Sequence, residues 1–357
     1  MATHVTDIAD LANLTLSRYV KGGLVDIATT LRDYPACKKL MEKNRQIAKP
    51  ADGSGKNFVF NLLHTGDSNA RNCGIYDVNN LDQTDGTVAA TIPFRYMTTG
   101  THFDTVEISV NAEPAKIVDF VKTKEMQMEI GWYNLMEANF WGGPSDSSDD
   151  TTPWGLTKYW LDHDASAGFN GGNHSSFSGG PAGVSCSTYS RWSHYTAQFT
   201  TNSLSDSVAK IRRALKEVRF RGIPNKPMKD FNYDDQQTII YTTLDNVDEL
   251  ENLAVGLDDK VGPDLGKYDG MVVIARTPIE EVPWLSDNRA TSDPYIGIDW
   301  NVVGSVYPEG KFITEHPYRQ APHQRNVRER FRDAARQFVI MNRRRIFTVA
   351  KAAYTSS

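Results

Sequence analysis

Residues able to do chemistry are scattered through this 357-residue sequence rather than grouped. Its three cysteines, Cys37, Cys73 and Cys186, form no C-x-x-C pair and are odd in number. They read as reduced thiols, not as a disulfide framework or a zinc site. The eight histidines include no H-x-x-x-H pair. The carboxylates of "SDSSDD" and "NYDDQQ" lack the alternate spacing and distal glutamate of a calcium loop. "ADGSGKNF" looks like the end of a phosphate-binding loop, but Pro50 stands where that motif needs glycine and Asn57 where it needs a hydroxyl. A β-type run then follows where a helix should receive the phosphates. "GPDLGKY" is one residue too short for the same motif. The glycine-dense stretch "AGFNGGNHSSFSGGPAGVS", residues 167–185, holds no G-x-G-x-x-G and reads as an exposed connecting loop. There is no G-x-S-x-G elbow. The sequence therefore predicts no catalytic residue, no cofactor and no metal site, and points away from an enzyme.

Charge is more informative than motif. The net charge is -5, which gives no global reason to expect nucleic-acid binding. Yet the segment 319–351 carries ten Lys or Arg against two acids, Glu329 and Asp333. Within it "MNRRRIF" sets Arg343, Arg344 and Arg345 in a row in a strand-like context, where alternation would turn Arg344 away from the other two. These three, with Arg71 in a polar stretch upstream, are the candidate contacts to a neighbouring copy or to phosphates. A solvated strand end explains the run equally well.

The elements that would position these residues follow from periodicity and punctuation. Residues 1–56 read as short helical segments broken by Gly22-Gly23 and Pro35, an arm with no core of its own. "NFVFNLL" and "GTVAATIPFRYM" read as strands flanking a polar excursion, and "TVEISV" as a further strand, over 57–110. A hairpin that long needs a partner surface. Residues 113–141 form the strongest helix, opened by Pro114 and stopped by Gly142-Gly143-Pro144, with apolar residues almost all the way round its second half. A second helix starts near Ser205. Residues 230–305 alternate strand and helix and read as a compact α/β section that could stand alone. The C-terminal segment reads as long strands with Ala334-Ala335 allowing a helical break. No stretch approaches a membrane span, and the polar, acidic N-terminus is unlike a signal peptide, so the expected site of folding is a cytoplasm.

This order, together with "GGPSDSSDDTTPWGLTKYW", "GFNGGN", "YSRWSHYTAQF", "RTPIEEVPWL", "DPYIGIDW" and "NRRR", resembles the tailed-bacteriophage major capsid proteins of the Hong Kong 97-type fold. The resemblance implies an α+β chain with an N-terminal arm (1–56), an extended loop and flanking strands (57–110), and a peripheral domain (111–229) built on a spine helix. An axial domain (230–305) and a C-terminal return to the peripheral domain (306–357) complete it. It also implies self-assembly as pentamers and hexamers into an icosahedral or prolate shell around double-stranded DNA, with a separate scaffolding protein, a portal and optional decoration proteins as partners, and no membrane. The location implied is the virion, after assembly in the host cytoplasm. The glycine-dense stretch becomes a surface loop between subunits. The Lys-to-Asn crosslink of some such shells is not carried over, since Lys56 has no identifiable partner. Another virion component, a compartment shell protein of related fold, and a soluble enzyme with a dispersed site are the rival readings.

Overall fold

The computed structural model describes residues 34–42, 46–49, 56–66, 72–76, 85–104, 106, 114–219, 237–257, 272–289, 292–324 and 326–351. In chain order these form α1 (Pro35–Leu40), β1 (Gln46–Lys49), β2 (Asn57–Leu63), β3 (Thr87–Pro93), β4 (Arg95–Asp104) and α2 (Pro114–Trp141). After a π turn at Leu156–Trp160 come β5 (Gly168–Gly171), β6 (His194–Gln198), α3 (Ser207–Glu217), β7 (Thr238–Thr242) and α4 (Leu244–Leu257). The rest is β8 (Val273–Ile274), β9 (Thr277–Glu281), α5 (Pro283–Arg289), β10 (Tyr295–Asp299), β11 (Val303–Pro308), β12 (Thr314–Glu315), β13 (Arg319–Gln320), β14 (Val327–Ile340) and β15 (Phe347–Ala350).

The long helix runs for 28 residues within one position of its predicted bounds. Glycine ends it. Gly142 donates its N–H back to Ala138, and the chain returns so closely that a Cβ on Gly155 would sit 2.4 Å from the Asn139 carbonyl oxygen. Only a bare backbone fits there. Met128, Trp132, Met136 and Phe140, spaced by four, form its buried stripe. At the end of the stripe Phe140 stacks on Trp300 and meets Phe338 edge-on, while Trp141 meets Tyr241 edge-on. These contacts reach β14, β7 and the β10–β11 turn. The all-round apolar tail of the helix thus joins the two main sheets.

The first sheet has six strands in the order β1-β11-β14-β12, with β13 and β4 also pairing with β14. The second has seven, β5-β6-β15-β10-β7-β9-β8. Its inner face shares the core of the long helix, and its outer face is covered by α3 and α4 through Val208, Ile211, Leu215, Val247 and Leu250. Strand pairing crosses the predicted domain limits. The 230–305 section does not stand alone, because β10 pairs with β15 from the C-terminal segment and β15 with β6 from the 111–229 segment. β14 runs unbroken through Ala334 and Ala335. β4 ends at Asp104, whose carboxylate accepts a hydrogen bond from the Val106 N–H; Val106 is helical rather than extended, and the rest of the predicted strand "TVEISV" lies outside the described residues.

The predicted excursion pairs in full register, from Asn57 opposite Pro93 to Leu63 opposite Thr87. The arm helix α1 is tied to the long helix by Glu137, whose carboxylate accepts from the Ala36 and Cys37 N–H groups and the Trp141 indole. Arm residues 1–33 lie outside the described residues.

Candidate assembly surfaces

Much of the C-terminal basic run turns inward, through Arg330, Arg332, Arg336, Arg343 and Arg345, while Arg319, Arg328 and Lys351 are exposed. Along β14 the even-numbered residues from Arg330 onward look towards α2. Arg330 pairs with Glu125 and Glu315, and Arg332 with Glu129 and Glu315. Glutamates four apart on a helix rise about 6 Å, and arginines two apart on a strand about 6.6 Å, so the two series match step for step. Arg336, next on that face, is fully buried between Trp132 and Phe312. Burial lowers its pKa to about 10, which leaves it cationic at neutral pH. On the opposite face Arg319 pairs with Glu329, and Asp333 holds His316 and Thr98.

Of the sequence-predicted contacts, Arg71 lies outside the described residues. The other three occupy a 3-10 turn, not a strand, capped by the Asn342 side chain. Strand alternation therefore does not apply, and Arg343 and Arg345 are both fully buried. Arg345 forms an interior ion pair with Asp299. Arg343 donates to the Trp160, Trp192 and Gly172 carbonyls, the Cys186 sulfur and His194 Nδ1. Arg344 is half-buried, its guanidinium 4.3 Å from the Phe169 ring centre. The triplet is an internal tie between the π turn, the glycine-dense stretch and β6.

That stretch is also less exposed than its composition suggests. Phe177, Pro181, Ala182 and Val184 are buried, and the Tyr159 hydroxyl accepts from the Ala182 N–H. A Cβ on Gly171 would fall inside the His194 ring, which explains glycine there. Around Arg343 burial keeps His163 (pKa about 4) and His194 (well below its usual value) neutral, and raises Asp162 to about 6. A neutral imidazole lets His194 accept the arginine hydrogen bond. Among the described residues no group of three or more His, Cys, Asp or Glu could hold a metal ion, and no helix is long and apolar enough to cross a membrane.

What faces outward is the hairpin. Its inner side, Phe58, Phe60, Leu62, Val88, Ala90 and Ile92, packs on the chain's own Pro181–Gly183 turn, with the His64 ring 4.8 Å from Tyr189. Its outer side presents Val59 and Leu63, and towards the tip Ile75 and Tyr76 are 95% and 96% exposed. Composition and alternation located this segment. Nothing in the sequence marked the Glu125/Glu129 ladder, whose partners lie about 200 residues away.

No family model matches the sequence, and no curated protein matches it. The fold does have matches. The chain is similar to the capsid of the native GTA particle at 12% identity over 94% of this chain and 98% of that one, with a TM-score of 0.54. It is similar to the holo-SrpI encapsulin complex from Synechococcus elongatus PCC 7942 at 8% identity over 98% and 96%, TM-score 0.52. It is also similar to the capsid of cyanophage P-SCSP1u at 9% identity over 94% of each chain, TM-score 0.51. These likenesses, nearly end to end on both sides, show the Hong Kong 97-type capsid fold in its α+β form.

Proposed function

We propose that this chain is a major capsid protein, the repeating subunit of a tailed-bacteriophage head, forming pentamers and hexamers around double-stranded DNA. The observation that carries the proposal is a shell fold whose hairpin holds large apolar side chains, Leu63, Ile75 and Tyr76, away from its own core. Such burial is gained only against another copy, and closure multiplies weak contacts into a stable shell. The role is structural and not catalytic. Scaffold, portal and optional decoration proteins are its partners, with assembly in the bacterial cytoplasm and residence in the virion. In domain terms, α2 with the six-stranded sheet makes the peripheral unit and the seven-stranded sheet with α3 and α4 the axial unit.

Sedimentation and negative-stain imaging of the overproduced protein, alone and with its scaffold, test this. Capsomers or hollow shells are expected; a monomer under every condition overturns it. The likeness to an encapsulin favours a second reading, a compartment shell enclosing protein. Purified particles separate the two, since nuclease-protected DNA marks a head and a stoichiometric protein cargo marks a compartment.

A further inference from the structure

The two helices on the outer face of the seven-stranded sheet carry opposite charge. On α3, Arg212, Arg213 and Lys216 are exposed, and Arg219 is exposed just past the helix end. Lys210 turns back to Asp206 and the Gln198 carbonyl, and Glu217 is the single acid of the helix. None of the four outward cations reaches a carboxylate within ion-pair distance among the described residues, in contrast to the paired arginines of β14. On α4, Asp245, Asp248, Glu249 and Glu251 face out, and the helix has no Lys or Arg. Glu249 is met by the Asn202 amide, and Lys351 approaches Asp293 beside the stripe at 3.8 Å.

The two stripes lie on one face of the sheet and are complementary in charge. α3 lies over β6 and β15 and also reaches β8, and α4 lies along β9, its Asn246 and Glu249 meeting Asn202 just ahead of α3. Residues 212–217 span about 7.5 Å of helix and residues 245–251 about 9 Å, so the stripes are similar in length. A head-to-tail contact between such patches is heterologous, and it closes into a ring when the rotation between copies divides a full turn. We infer that the basic stripe of α3 in one copy faces the acidic stripe of α4 in the next, so that a second copy of this chain is the partner of both. This rests on the shell reading and adds to it the residues that set neighbour orientation within a capsomer. Charge pairing of this kind governs orientation and association rate more than tightness.

The test is a charge swap. One variant carries Arg212→Glu, Arg213→Glu and Lys216→Glu; a second carries Asp245→Lys, Asp248→Lys and Glu251→Lys; a third carries all six. Each single-helix reversal should keep the wild-type melting temperature and lower the yield of assembled particles at least tenfold at low salt, and the six-fold variant should recover it. If a reversal lowers the melting temperature, the same positions changed to Gln replace it, and a loss of at least threefold is expected. Wild-type yields from either reversal, or a folded six-fold variant that does not recover, overturn the inference. So does loss of DNA-filled particles alone on reversing α3 with no effect on reversing α4, which would assign that stripe to DNA. Failure of the wild-type chain to assemble would instead overturn the shell reading on which the inference stands.

Discussion

Arg343 has five N–H donors, and the chain supplies an acceptor to each of them. A lysine offers three donors on a flexible stem and cannot reproduce that fork. Arg343→Lys should therefore cost about 3 kcal/mol, the scale of breaking a buried charged network. Arg344→Lys, at a half-buried site, should stay within about 0.5 kcal/mol. Urea titrations of the two variants measure the difference, and equal midpoints would show that the triplet is not an internal tie. Replacing Arg343 or Arg345 with Glu reports folding first and assembly only second. The imidazoles beside Arg343 set a pH dependence. His163 and His194 have folded pKa values below the usual 6.5, so the unfolded chain takes up protons first and stability is lost as pH falls from 6.5 towards 4. Asp162, raised to about 6, acts in the opposite sense, its contribution falling as pH rises from 3.8 to about 6. Two groups outweigh one, so the melting temperature should drop between pH 7 and pH 4.5. His163→Gln should flatten that drop and Asp162→Asn should steepen it. A drop unchanged in His163→Gln would remove His163 from the account.

The ladder between β14 and α2 is a property of two elements in register, not of any residue alone. Arg332→Glu places a second acid beside Glu129 and Glu315 and should destabilise by about 1–2 kcal/mol, discounted because both acids are roughly half exposed. Adding Glu129→Arg should return part of that loss, a coupling of about 0.5 kcal/mol or more. Denaturation of the four chains of this cycle checks it, and strict additivity would mean the pairs contribute nothing. The elements themselves were largely legible. Pro114 and the Gly142-Gly143 pair bracket the long helix, and β2, β7 and α3 fall where β-branched runs or a four-residue apolar period place them. What the sequence hid was pairing at a distance. The alternation in "RERFRDAAR" does put arginine on one face of a strand, yet nothing local says that Glu125 and Glu129 lie under it. Consecutive arginines likewise look the same in a solvated strand as in a buried turn, because burial is set by the fold around them. The glycine-dense stretch looks like surface by composition, while Gly171 is what allows the His194 ring to approach so closely.

At the scale of the whole molecule, the domain limits drawn from the sequence failed at the sheet. A strand such as β15 carries no local mark of whether it joins its sequence neighbours or a strand far upstream. The hairpin shows the converse, since an element that cannot be stable alone advertises a need for a partner. Half of that need is met internally, by the Pro181–Gly183 turn beneath Phe58, Phe60 and Ile92. The outer half is not. Val59 and Leu63 stand 54% and 64% exposed on a face that the chain's own core does not cover. Val59→Asp with Leu63→Asp should therefore leave the subunit's urea midpoint within about 0.5 kcal/mol of wild type, since surface changes away from packed groups cost little. The same two carboxylates set into a dry intersubunit contact would be buried without partners, at a cost of several kcal/mol on the scale of an unpaired buried charge. Sedimentation should then show folded subunits and few or no shells. Deleting residues 66–86 while keeping the inner face should give the same pattern. Full shell yield from the Val59/Leu63 variant would mean that the outer face of the hairpin looks onto solvent in the particle, and that assembly draws on other surfaces of the chain.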